Sequence, residues 1–135
     1  MATLNKYKTH SVLGSQQEII EIEYDFAKDG GATGALDIVK FVEPCVLMDA
    51  YLKVDTGFTS GGSATLIWGV KGGDTDACLD VTSGAVANLT AGAVIPGETA
   101  CKQIKLADDA VLEMTIGTAA MTAGKCRFVM LIQKF

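Results

Sequence analysis

The stretch Gly117–Cys126 reads GTAAMTAGKC, and a Gly-Lys pair before a small side chain is how a nucleotide phosphate loop ends. Such a loop places four residues between its first glycine and Gly-Lys, then a Ser or Thr that holds magnesium. Here six residues separate Gly117 from Gly124, and Cys126 comes after Lys125. A phosphate loop must also open a helix, whose first amides face the phosphates. Here Cys126 leads into Arg127-Phe128-Val129-Met130-Leu131-Ile132, a β-forming run. The stretch reads instead as a crossover over Thr118–Ala123, with Gly124 supplying a permissive torsion before the last strand begins.

The other reactive groups are read in the same way. Asp74-Thr75-Asp76 with Asp80 resembles part of a calcium loop, but the central glycine and distant glutamate of an EF-hand are missing. It reads as a solvated turn. Glu21, Glu23 and Asp25 alternate with apolar residues, as the wet face of a strand does. A glycosidase pair would need carboxylates set on opposite sides of a bond. His10 is the only histidine and lies near the start of the chain, so any Ser-His-Asp or Cys-His arrangement must recruit it there. Gly57-Phe58-Thr59-Ser60-Gly61 lacks the spacing of a nucleophile elbow. No catalytic residue, cofactor or metal site is assigned, and the chain is expected not to be an enzyme.

Cys45, Cys78, Cys101 and Cys126 never form a Cys-x-x-Cys pair, and each lies in an apolar, strand-like run. The leading expectation is four buried free thiols, ahead of disulfides and well ahead of a zinc site. Asn88-Leu89-Thr90 matches a glycosylation acceptor, read as chance for want of a secretory signal.

These groups must be carried by a fold, and the dominant period is two. In Ile20–Phe26 the apolar residues share one face and the acids the other. Further strands are predicted at Leu36–Val42, Val46–Val54, Thr65–Val70, Cys78–Thr82, Ile104–Leu106, Val111–Ile116 and Cys126–Phe135. In Val46–Val54 the predicted core face is Val46, Met48, Ala50, Leu52 and Val54, with Leu47 out of pattern. Trp68 is predicted to be a core anchor rather than a sugar-stacking platform. Ser83–Val94 is open between a short helical turn and a loop. Glu98–Ile116 has partial helical spacing, but two strands about an Asp108-Asp109 turn fit it better. Glycines punctuate these runs, and no strand–helix–strand alternation exists. The expected fold is all-β, an antiparallel β-sandwich or jelly-roll-like barrel of about eight strands. Residues 1–16 precede it as an N-terminal arm, and residues 17–135 form the single domain. The arm is either frayed or ordered only on a neighbouring subunit.

At 135 residues the chain is long enough for one core without metal or disulfide staples. Apolar residues make up 49% and charged residues 20%, a globular balance with apolar surface to spare for self-association. The net charge is −5 and Arg127 is the only arginine, so no basic stripe for nucleic acid or for a membrane surface is visible. No signal peptide or membrane span is read, and synthesis in a cytoplasm is expected.

The run Phe58-Thr59-Ser60-Gly61-Gly62-Ser63-Ala64-Thr65, entered from Ala50–Val54, and the later run Ala107–Lys125 leading into the last strand together resemble small β-sandwich virion proteins of tailed bacteriophages. Many of these are capsid decoration (cement) proteins, and related folds serve as head or tail fibre parts. The resemblance covers residues 17–135. It implies a homotrimer bound to the major capsid protein at the capsid surface, with no cofactor, nucleic acid or membrane as partner. The arm residues Lys6, Tyr7, Lys8 and His10 are the expected contacts, with Tyr51 on a polar strand face and Phe58 at the head of a loop. Head or tail fibre component and carbohydrate-binding β-sandwich module are the alternatives.

Overall fold

Alternation of apolar and polar side chains puts every second residue of a strand on one face, so a two-period chain buries its apolar set by stacking two sheets. A computed structural model describes residues 6–9 and 17–134. The strands are β1 (Lys6–Thr9), β2 (Gln17–Asp25), β3 (Gly34–Lys40), β4 (Cys45–Ser60), β5 (Thr65–Val70), β6 (Val94–Pro96), β7 (Ile104–Leu106), β8 (Val111–Gly117) and β9 (Met121–Lys134). One helical turn, α1 (Phe26–Asp29), comes after β2; Asp25 caps it by accepting from the Ala27 amide at 3.0 Å.

All pairings are antiparallel. The larger sheet runs β1-β2-β9-β4-β6, with β7 also on β4, and the smaller runs β3-β8-β5. The two sheets form an open sandwich, not a closed barrel. Its interior is one cluster to which β2 gives Ile20, Ile22 and Tyr24, β9 gives Phe128, Met130 and Ile132, and β8 gives Leu112, Met114 and Ile116. Trp68 on β5 meets Phe128 on β9 edge to face at 5.0 Å, which ties the smaller sheet to the larger. The predicted anchor role of Trp68 is therefore observed, and its burial removes it from any sugar-stacking surface.

Three expectations need correction. In β4 the core residues are Cys45 and Leu47, then Ala50, Leu52 and Val54, while Val46 and Met48 are half-buried. A β-bulge between Leu47 and Asp49 switches the facing, which a strict alternation cannot represent. Cys78–Thr82 is not a strand. It is a looped segment that touches β5 through a Trp68–Leu79 bridge. The last strand begins at Met121, not after Gly124, so the crossover from β8 is only Thr118–Ala120. Within the expected arm, residues 6–9 pair with Glu18–Glu21 as an edge strand.

Gly124 lies inside β9 with φ +143, a backbone that side chains avoid, and a Cβ there would meet the Phe58 ring at 2.5 Å. Phe58 in turn stacks on Tyr24 at 5.9 Å. Burial pushes the Tyr24 hydroxyl up to about 12, and that hydroxyl donates to the Gly30 carbonyl. Replacing Gly124 with Ala should cost about 2 kcal/mol through strain and crowding of Phe58. Denaturant titration checks this, and an unchanged midpoint would refute the packing account.

The cysteines divide. Cys45 and Cys126 are buried free thiols, as expected, but Cys78 and Cys101 are bonded to each other. The backbone brings them together: the Cys78 amide donates to Trp68 O at 3.0 Å, and the Glu98 amide donates to Cys78 O at 3.1 Å. A 3-10 turn over Thr99–Cys101 then sets Cys101 opposite Cys78, at a Cα separation of 4.6 Å. The bond closes a loop with a sequence separation of 23. A loop of that length stabilises by about 3 kcal/mol through the unfolded state. Dithiothreitol should lower the unfolding midpoint of the wild type accordingly and leave a Cys101→Ser variant unmoved.

Candidate interaction surface

The outward face of the larger sheet is set by its register. One row across the sheet is Lys6, Glu21, Val129, Tyr51 and Pro96; the next is Lys8, Ile19, Leu131 and Asp49. On the other side lies the row Glu23, Arg127, Lys53 and Val94. The parity that sends Phe128, Met130 and Ile132 inward sends Val129 and Leu131 outward. Apolar side chains thus meet on the face of a sheet that the acids of β2 marked as wet.

Tyr51 is 40% exposed and Val94 59%, and Ile19 and Leu131 are half-buried. With Asp49, Ala50, Val129 and Met130, the residues Ile19, Tyr51 and Leu131 line a shallow hollow of about 230 Å³. Beside it sits a fixed charge cluster. The Arg127 guanidinium donates from Nε and Nη2 to the two Asp55 oxygens at 2.9 and 2.8 Å, and from Nη1 to Glu21 Oε1 at 2.7 Å. This forked pairing holds the Asp55 carboxyl below its usual range and raises Arg127 further. Lys125 lies 3.5 Å from Glu23 on the same face.

A second feature opens at one end of the sandwich. Glu18, Ile20, Lys40, Phe41, Val42, Glu43, Cys45, Ile132 and Lys134 line a cleft of about 230 Å³. Glu18 Oε1 accepts from Lys134 Nζ at 2.8 Å, whereas Glu18 Oε2 is buried without a hydrogen-bond partner among the described residues. Val42 stands at the rim with 78% exposure. Burial pushes the Cys45 thiol up, and the Glu18 charge adds to the effect.

The structure brings four of the six expected contact residues onto one sheet. Lys6, Tyr7 and Lys8 occupy the outermost described strand, and Tyr51 lies three strands away, in the row of Lys6. His10 lies outside the described residues. Phe58 is buried against Tyr24, because its amide bond to Leu89 O at 2.9 Å and the bare Gly124 backbone hold it inward. Its strand neighbour Thr59 and the following loop residues Gly61 to Ser63 stay exposed. Sequence reasoning missed Glu18, Val129, Leu131 and the Arg127 cluster; a lone arginine among acids was the available signal. Among the described residues no group of three or more His, Cys, Asp or Glu side chains is gathered to hold a metal ion.

No family model and no curated protein matches the sequence. Solved structures do match in fold. A chain from the capsid asymmetric unit of cyanophage Pam1 superposes with a TM-score of 0.64 at 16% identity, covering 95% of this chain and 91% of that one. A chain from the acid-stable capsid of the Helicobacter pylori bacteriophage KHP30 gives 0.63 at 14% identity, covering 96% and 93%. At these identities the likeness is one of fold. The chain shares its sandwich, almost end to end, with chains found in the capsids of two bacteriophages, as the resemblance drawn from its sequence implied.

Proposed function

We propose that this chain is a structural component of a bacteriophage virion, sitting on the capsid surface and bridging subunits of the major capsid protein. The observation that carries the reading is the two-way coverage of the capsid chains. Each is covered over more than nine-tenths of its own length, so the match is to whole small capsid components and not to a fragment of a larger protein. The role is mechanical rather than catalytic. Repeated modest contacts add up when many copies are held on one lattice.

On this reading the outward face of the larger sheet is where copies meet, as a homotrimer. It joins exposed apolar area at Tyr51 and Val94 to charges that Arg127 already neutralises. Interfaces favour that mixture, with an aromatic anchor at the centre and paired charges at the rim. Closed rotational symmetry repeats such a contact without leaving sheet edges to aggregate. Lys6, Tyr7 and Lys8 on β1, together with His10, are the contacts to the major capsid protein on this reading.

Light scattering should give three times the protomer mass for the wild type. Tyr51→Ser should weaken association at least tenfold with an unchanged circular dichroism spectrum. A wild-type monomer at high concentration would overturn the trimer. The capsid assignment has its own test. Capsids purified from producing cells should carry the chain in fixed stoichiometry. Deleting residues 2–14 should leave a folded protein, because β1 pairs only with β2 among the described strands, while its recovery with capsids falls. Full recovery of the truncated chain would show that the arm makes no contact.

A further inference from the structure

We propose that the end cleft is a receptor for an arginine side chain presented by a protein other than a copy of this chain, with the Glu18 carboxylate as its anchor. The Glu18 side chain is about nine-tenths buried, with 11% exposure, yet among the described residues only one of its oxygens is engaged, by Lys134. A carboxylate accepts on both oxygens, and a buried acceptor left unmatched is costly. Water does not reach Oε2 in the cleft as it stands. The last torsion of a glutamate is soft, so a donor entering the cleft can draw that oxygen toward itself.

The walls select the donor. Ile20, Phe41, Val42 and Ile132 line an apolar channel that suits the aliphatic stem of a long basic side chain. At the mouth Glu43 is exposed and Lys40 is turned to Asp109 at 3.6 Å, so the two lysines of the lining, Lys40 and Lys134, are each engaged by a carboxylate. The chain as a whole carries a net charge of −5, which draws basic partners. A guanidinium leaves water more readily than an ammonium and offers a planar fork to a carboxylate, so arginine fits a buried anchor better than lysine.

Composition identifies the presenter. The only arginine of this sequence is Arg127, and it is already held by Asp55 and Glu21 on the face of the larger sheet. Another copy of this chain therefore has no arginine to offer. That the presenter is a shell subunit rests on the virion reading above; the arginine chemistry of the cleft does not.

The test is a nitrogen-15 NMR titration of the intact protein with N-acetyl-arginine amide, N-acetyl-lysine amide and N-acetyl-norleucine amide. The expected result is saturable shifts at the amides of Glu18, Val42 and Glu43 with the arginine probe, at a dissociation constant on the order of millimolar. The lysine probe should bind several-fold more weakly, and the norleucine probe should not saturate. Glu18→Gln should weaken arginine binding about tenfold or more. Equal binding of lysine or norleucine, or an unchanged Glu18→Gln variant, would overturn the proposal. If that variant does not fold, the wild-type comparison among the three probes still decides. Arginine binding in a chain never recovered with capsids would uphold the cleft and sink the virion reading. Recovery with capsids and no preference for arginine would do the reverse.

Discussion

The pairing of β4 with β9 is the constraint on which the rest of the molecule depends. These are the two longest strands, and their ladder runs from Cys45 opposite Lys134 to Ser60 opposite Met121. Every other strand of the larger sheet except the edge strand β1 attaches to one of them. Phe128 on this ladder meets Trp68, so the smaller sheet is positioned from it as well. The ladder also sets the outward face. Once Phe128, Met130 and Ile132 are committed to the core, Val129 and Leu131 must face out beside Tyr51. The apolar hollow on that face is therefore a consequence of the register that builds the core, since a slip of one residue would exchange the two sets.

Two strands this long cannot stay flat, because right-handed twist accumulates along them. The ladder relieves this with shifts of register between Leu47 and Asp49 and again beyond Val54. These shifts explain what was legible and what was not. Thr65–Val70 has no irregularity, and its alternation gives its observed bounds. The acidic alternation of β2 is equally clear and ends one residue before the expected bound, where Asp25 caps α1. The bulge at Met48 was hidden, because a local pattern has no term for an extra residue opposite a partner strand. Met121–Gly124 resembles a crossover because small residues and a glycine look like a turn. Only the demand of β4 for a partner makes them a strand, and only the Phe58 ring explains the glycine.

The site was less legible than the fold, for a related reason. Tyr51 was visible because it stood on a polar strand face. Glu18 and Arg127 acquire their meaning from residues far away in sequence: Lys134 for one, Asp55 and Glu21 for the other. The Cys78–Cys101 bond is the same kind of fact. Each cysteine lies in an apolar run with no nearby cysteine. They meet only because the segment after β5 folds back on Trp68 and the chain after β6 returns to it.

That segment also bears on how a protein with apolar surface to spare avoids associating in the wrong way. The outer edge of β5 is covered, since the Leu66 amide donates to Gly84 O at 2.8 Å and Thr65 bridges to Ala85. The outer edge of β3 is broken by a bulge between Asp37 and Val39 and flanked by the Lys71–Asp37 and Lys40–Asp109 pairs. Both devices deny a stray strand a flat edge to extend. With the edges of the smaller sheet blunted, the outward face of the larger sheet and the end cleft stand out among the described residues as surfaces that combine apolar walls with ordered charge. A face can repeat around a symmetry axis, whereas a cleft with a single half-satisfied carboxylate takes one side chain. On the two proposals made above, the same sandwich would meet its own copies through one feature and a different protein through the other.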